Sequence, residues 1–183
     1  MLANRAELET TLAGGDLLGA VFARHAYGMR RWVDLFAGMI PSTYDPAAKE
    51  LVATLVADNA RHMNLFRDRA VAHGVDPDAY VAPTEGKAIY ERLEELADQR
   101  EIEAFALGSL DHFAELLAVY AAAARDGDTA VIETVRSDVE RARAELRARV
   151  DDLGERVAAR AREAHELYRR RELVETPLYA GVG

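Results

Sequence analysis

The stretch 45-DPAAKELVATLVADNARHMNLFRDRAVAHG-74 decides the fold class. Asp45 is a natural N-cap, and Pro46 falls in the first turn, where a missing N–H costs nothing. Val52, Leu55, Val56, Asn59, His62, Met63, Phe66 and Ala70 then recur at helical spacing. Gly74 suits the left-handed C′ position that closes a helix. One long amphipathic helix follows.

The same period repeats on both sides. After Asn4 opens a short helix reaching about Leu12, Gly14-Gly15 breaks it and Asp16 caps a first long helix. That helix carries Leu18, Val21, Phe22, His25, Met29, Trp32, Val33 and Phe36, and Gly38 and Pro41 end it. Residues 75–83 read as a connection around Asp76-Pro77-Asp78. Thr84 caps the next segment, expected to split into a piece at 87–98 and a main helix with Ile102, Phe105, Ala106, Ser109, His112, Phe113, Leu116 and Tyr120. Gly127 ends that helix, and Asp128 or Thr129 caps the last one. Its stripe is Ile132, Val135, Val139, Ala142, Leu146, Val150, Leu153 and Val157. The expectation is a single domain, 1–183, with its core at about 17–157. Residues 158–183 form a helical overhang whose end, from Thr176, is frayed.

Composition agrees with helices. Half of the 183 residues are hydrophobic but only 7% aromatic, a balance that favours helix over sheet. The net charge of −9 argues against general nucleic-acid binding, which needs a basic face. Residues 136–171 nevertheless hold eleven arginines against eight acidic residues. They read as a solvated face of i,i+4 pairs, with a basic stripe for an acidic partner as the alternative. The absence of cysteine excludes disulfides, thiolate catalysis and iron–sulfur clusters. No apolar run is long enough to span a membrane, and no secretory signal is seen, so the expected location is the cytoplasm. There is no glycine-rich phosphate loop and no nucleophile elbow.

The candidate chemistry lies in His25, His62 and His112, near the middle of three successive long helices, while the fourth has Val139 and Ala142 at that depth. Three readings stand side by side. In the first, the three imidazoles bind one iron, zinc or copper ion, with Asp58 or Asp111 as fourth ligand or hydrogen-bond acceptor. In the second, a metal-free pocket walled by Trp32, Asn59, Phe66, Ser109, Phe113 and Tyr120 holds a small organic ligand. A histidine is then free to act as base. In the third, the histidines are satisfied core-edge residues, or the protein acts by assembly. His73, beside Gly74, and His165, on the polar tail helix, read as structural. Tyr27, Tyr44, Tyr80 and Tyr90 lie where connections might bring them to a site.

The segment Asp58-Asn59-Ala60-Arg61-His62, followed by Phe66 and then Gly74-Val75-Asp76-Pro77, resembles the second helix of ferritin-like proteins. The nearest branch is that of tRNA-hydroxylase-like and rubrerythrin-like members. The resemblance covers residues 17–150, mostly by pattern, and implies an all-α, ferritin-like four-helix bundle with a short N-terminal helix and an extended last helix. The family binds two irons through a carboxylate from each of two helices and a Glu-x-x-His pair from each of the others. Carried over position by position, this chain departs badly from that pattern. The matches are Arg24 or His25, then Asn59 and His62 with Asp58 nearby, then Asp111 or His112, then Val139 and Ala142. Asp138 and Glu140 are expected to point outward. What the resemblance implies is therefore a metal-binding oxidoreductase whose dinuclear site has degenerated to the three histidines. A homodimer seam along the last helix, through Leu153 and Val157, is the expected assembly.

Overall fold

The computed structural model describes residues 5–14, 17–125, 127–151 and 154–180. It is all-helical among them. The helices are α1 (Arg5–Gly14), α2 (Leu18–Met39), α3 (Pro46–Ala72), α4 (Thr84–Glu94), α5 (Gln99–Ala123), α6 (Asp128–Val150) and α7 (Glu155–Ala180), with a 3-10 turn at Ile40–Ser42. None of the described helices is long and apolar enough to cross a membrane. The caps expected at Asn4 and Asp16, and Leu153 of the expected seam, lie outside the described residues. So do Gly15 of the Gly-Gly break and the extreme C-terminus.

The chain divides into two compact units, where the sequence reading had one domain: residues 18–81, and residues 1–17 together with 82–183. The first is a hairpin of α2 and α3. Asp45 caps α3 as expected, accepting from the N–H groups of Ala47 and Ala48 at 2.8 and 3.2 Å. Gly74 closes it at φ +75°. Phe22 of α2 stacks on Phe66 of α3 with ring centroids 5.7 Å apart. Both are fully buried, so each contributes roughly 1.5–3 kcal/mol of apolar transfer to the seam. One turn before Phe22, Gly19 sits under the connection after α3. A Cβ there would lie 2.6 Å from the Cβ of His73, so only glycine lets that turn approach.

The second unit is built around α5, which packs on α1, α6 and α7, while α4 packs on α7. From Glu101 to Ser109 every residue of α5 is buried, not only the expected stripe. The reason is α7. The expected extended last helix is two helices, divided at Gly154, whose φ of +80° ends α6 and allows the chain to restart. The described part of the expected 158–183 overhang instead belongs to α7, a helix seated on α5 and α4. Val157, Ala164, Tyr168, Arg171, Glu172, Glu175 and Thr176 are all buried. Val157, one of the two side chains named for the expected homodimer seam, is buried within the chain.

The arginine-rich stretch holds this unit together. Glu103, 2% exposed, receives Arg149 of α6 and Arg100 of its own helix, each at 2.9 Å. Asp111 receives Arg143 and Arg147, Glu101 receives Arg156 and Arg160, and Glu163 of α7 receives Arg92 of α4 at 2.6 Å. Burial pushes the Glu163 carboxyl up, but hydrogen bonds from Arg92 and Arg160 take it below its ordinary range. Asp98, the N-cap of α5, is also lowered, first by the N–H of Arg100 that it accepts. Of the three terminal arginines of the stretch, Arg169 and Arg170 both pair with Glu166, and Arg171 is buried against Glu175. Paired arginines, more than a free basic stripe, are what the sequence pattern produces here.

Candidate functional site

The expected site residues fall in both units. In the α2–α3 hairpin, His25 and His62 are buried, as are Asp58 and Phe66. Nη1 of Arg24, itself buried, lies 2.8 Å from His25 Nε2 and 3.4 Å from Nδ1. A nitrogen this close to both ring nitrogens lies over the imidazole and not along either lone pair. The other face of His25 meets Phe66 at a centroid distance of 5.5 Å. Asp58 stands one turn before His62 on the same helix and receives Arg61 at 2.9 Å. Asn59 turns back to donate to the Leu55 carbonyl at 2.7 Å. Trp32 stacks on Phe36 at 4.9 Å.

In the α5-centred unit, His112, Ser109, Phe113 and Tyr120 are buried on α5. The Ser109 hydroxyl donates to the Phe105 carbonyl one turn back, at 2.9 Å. Asp111 is engaged by Arg143 and Arg147 on the α6 side. Asp138, expected to point outward, is buried at 9% exposure and held by Arg141 at 2.8 Å, whereas Glu140 is exposed as expected. Of the tyrosines, Tyr27 packs on Tyr80, Tyr44 is exposed, and Tyr90 meets Arg171 at 3.4 Å.

The most developed polar constellation of the described residues was not foreseen. His112 has no exposed surface, and its Nε2 lies 3.0 Å from Oε1 of Glu172, which is also buried. Tyr168, one turn before Glu172 on α7, stacks against the imidazole at 5.0 Å and 26°. His165, one turn earlier and only half-buried, meets the same ring edge-on at 5.3 Å and 80°. Glu115, half-buried on α5 one turn after His112, completes the group. Burial pushes its carboxyl up, but hydrogen bonding and neighbouring positive charge bring it below its ordinary value, and His165 and His112 add to this when protonated.

The signal for this cluster was present in the chain. His165, Tyr168 and Glu172 are spaced i, i+3, i+7 and so share one face of a helix. The seam of α7 runs 157, 161, 164, 168, 171 or 172, 175, a helical repeat whose last members are charged and therefore read as solvent-facing. The 3.0 Å contact is an ion-pair distance with the oxygen off the line of a ring N–H, and a small rotation aligns the two; a carboxylate so aligned fixes the tautomer and ring orientation, and stabilises the ring when it takes up a proton at its other nitrogen. Such a pair can hold and move a proton in a dry interior.

Among the described residues, no three His, Asp or Glu side chains stand close enough together to hold a metal ion. No protein-family model matches this chain, and no curated protein or solved structure matches it either.

Proposed function

We propose that this protein works without a metal, as a small-molecule-binding protein or enzyme on a ferritin-like helical plan, with His112 as its interior proton acceptor. One observation carries the reading: a fully buried imidazole sits 3.0 Å from a buried carboxylate, beneath a stacked tyrosine. In this role Glu172 holds the proton on Nε2 and leaves the Nδ1 lone pair to accept another. Tyr168 fixes the ring plane and keeps water from that face. The seven helices, their antiparallel α2–α3 pair and the segment around His62 are compatible with the ferritin-like plan.

The iron, zinc or copper reading at His25, His62 and His112 is the weaker one for a chemical reason. At His25 the Arg24 guanidinium lies within 2.8 Å of Nε2 and 3.4 Å of Nδ1 and places a fixed positive charge beside both ring nitrogens that a cation would need. At His112 the corresponding nitrogen faces Glu172. An ion would have to displace one partner and break the other contact, and Asp111 is engaged by two arginines.

Elemental analysis tests the choice. Protein expressed with iron, zinc, copper and manganese supplements and then desalted should retain far less than one equivalent of any of them. His62→Ala should be indistinguishable from the parent. Near-stoichiometric metal that disappears in His62→Ala would overturn the proposal in favour of a histidine metal site.

A further inference from the structure

We propose that His165 is the relay through which the buried His112–Glu172 pair exchanges protons with solvent. This rests on the reading of His112 as an interior proton acceptor. A fully buried acceptor is useful only if protons reach it, and His112 is enclosed: Phe113 and Leu116 beside it on α5 are buried, and Tyr168 covers one ring face. Among the described residues, His165 and Glu115 are titratable neighbours of His112 that reach partly into solvent. Glu172 is buried and Asp111 turns to Arg143 and Arg147.

The two half-exposed neighbours are not equivalent. A carboxylate held below its ordinary range carries no proton to hand on near neutral pH, and it acts chiefly as a fixed negative charge. An imidazole has both an acceptor and a donor nitrogen and ordinarily changes state in the physiological range. The His165 and His112 rings stand nearly perpendicular at a centroid separation of 5.3 Å, close enough for a rotation of the half-buried His165 ring to bring its N–H onto His112. In the inward step neutral His165 takes a proton from water and becomes an imidazolium. It then donates a proton to the Nδ1 lone pair of His112 and returns to neutral. His112 becomes an imidazolium beside the Glu172 carboxylate, keeping its Nε2–H. The reverse sequence returns one proton to water, so no other reactant is required. Glu115 stabilises the charge while it is on either ring.

The experiment is side-chain NMR on full-length protein labelled with nitrogen-15, at a pH low enough to populate the His112 imidazolium, reading transfer of saturation from water to its Nδ1 proton. His165→Gln, which keeps polarity but cannot shuttle, should slow that exchange by about a hundredfold. Glu115→Gln should change it far less. A purely structural role for His165 predicts the opposite sign, because a loosened α5–α7 seam opens more often and exchange accelerates. Unchanged or faster exchange in His165→Gln would overturn the relay, as would slowing confined to Glu115→Gln. The parent protein's spectrum separates this from failure of the underlying reading: a His112 ring without its proton on Nε2 refutes the Glu172 pairing whatever the variants do.

Discussion

Alanine at position 108 is expected to destabilise the α5-centred unit by about 3 kcal/mol or more, lowering its melting temperature by roughly 10 °C. The cause is a close helix crossing. A Cβ built on Gly108 lies 2.1 Å from the carbonyl oxygen of Ala161 and 2.8 Å from its Cα, so it strikes backbone and not the yielding end of a side chain. Relief requires α7 to move away from α5, which would separate Tyr168 and Glu172 from His112. The cost therefore falls on the candidate site as well as on stability. Gly38 provides the control. It too is helical, but nothing lies within 4 Å of its would-be Cβ. Alanine there should be neutral or stabilising by up to about 1 kcal/mol through backbone entropy and helix propensity. Thermal unfolding followed by circular dichroism compares the two; equal effects at 108 and 38 would contradict the crossing.

Removing one member of the His112–Glu172 pair is expected to cost more than removing both. Glu172→Met leaves a buried imidazole facing an apolar group, and His112→Leu leaves a buried carboxyl with its nearest partner gone. Each single change should cost about 1–3 kcal/mol, because the surviving buried group keeps its burial penalty without its compensation. The double variant His112→Leu/Glu172→Met replaces the pair by apolar side chains in the same seam. It should be more stable than either single variant. Chemical denaturation of the four proteins gives the coupling energy as a double-mutant cycle. Additive losses would mean that the two groups do not act as a pair.

The helices were legible because their start and stop signals are local. Asp45-Pro46 and Gly74 bracket α3 as the sequence implied, and the break before the main stretch of α5 falls at residues 95–98. What local signals could not reveal was which charged residues are buried. Glu101 and Glu103 lie among apolar residues on α5, but their burial depends on arginines some fifty residues onward in the chain, Arg149, Arg156 and Arg160. Arg171, Glu172 and Glu175 made the end of α7 look solvated, although they satisfy one another, Tyr90 and His112 inside the unit. Burial of His25, His62 and His112 followed from their place on the apolar stripes. Their partners did not, because Arg24 is an immediate neighbour with no helical periodicity to mark it and Glu172 is sixty residues away from His112. Gly108 is a third case: a glycine inside a helix pattern signals close approach, but only the position of Ala161 says to what.

The most direct test of the central claim is the side-chain nitrogen-15 spectrum of His112, recorded before and after one equivalent of zinc. A metal-free proton-holding pair predicts a neutral ring with its proton on Nε2, toward Glu172, and resonances unmoved by zinc. A proton on Nδ1 with a zinc-shifted Nε2, accompanied by matching shifts at His25 and His62, would contradict the account and place a metal where this reading has a carboxylate-bound base.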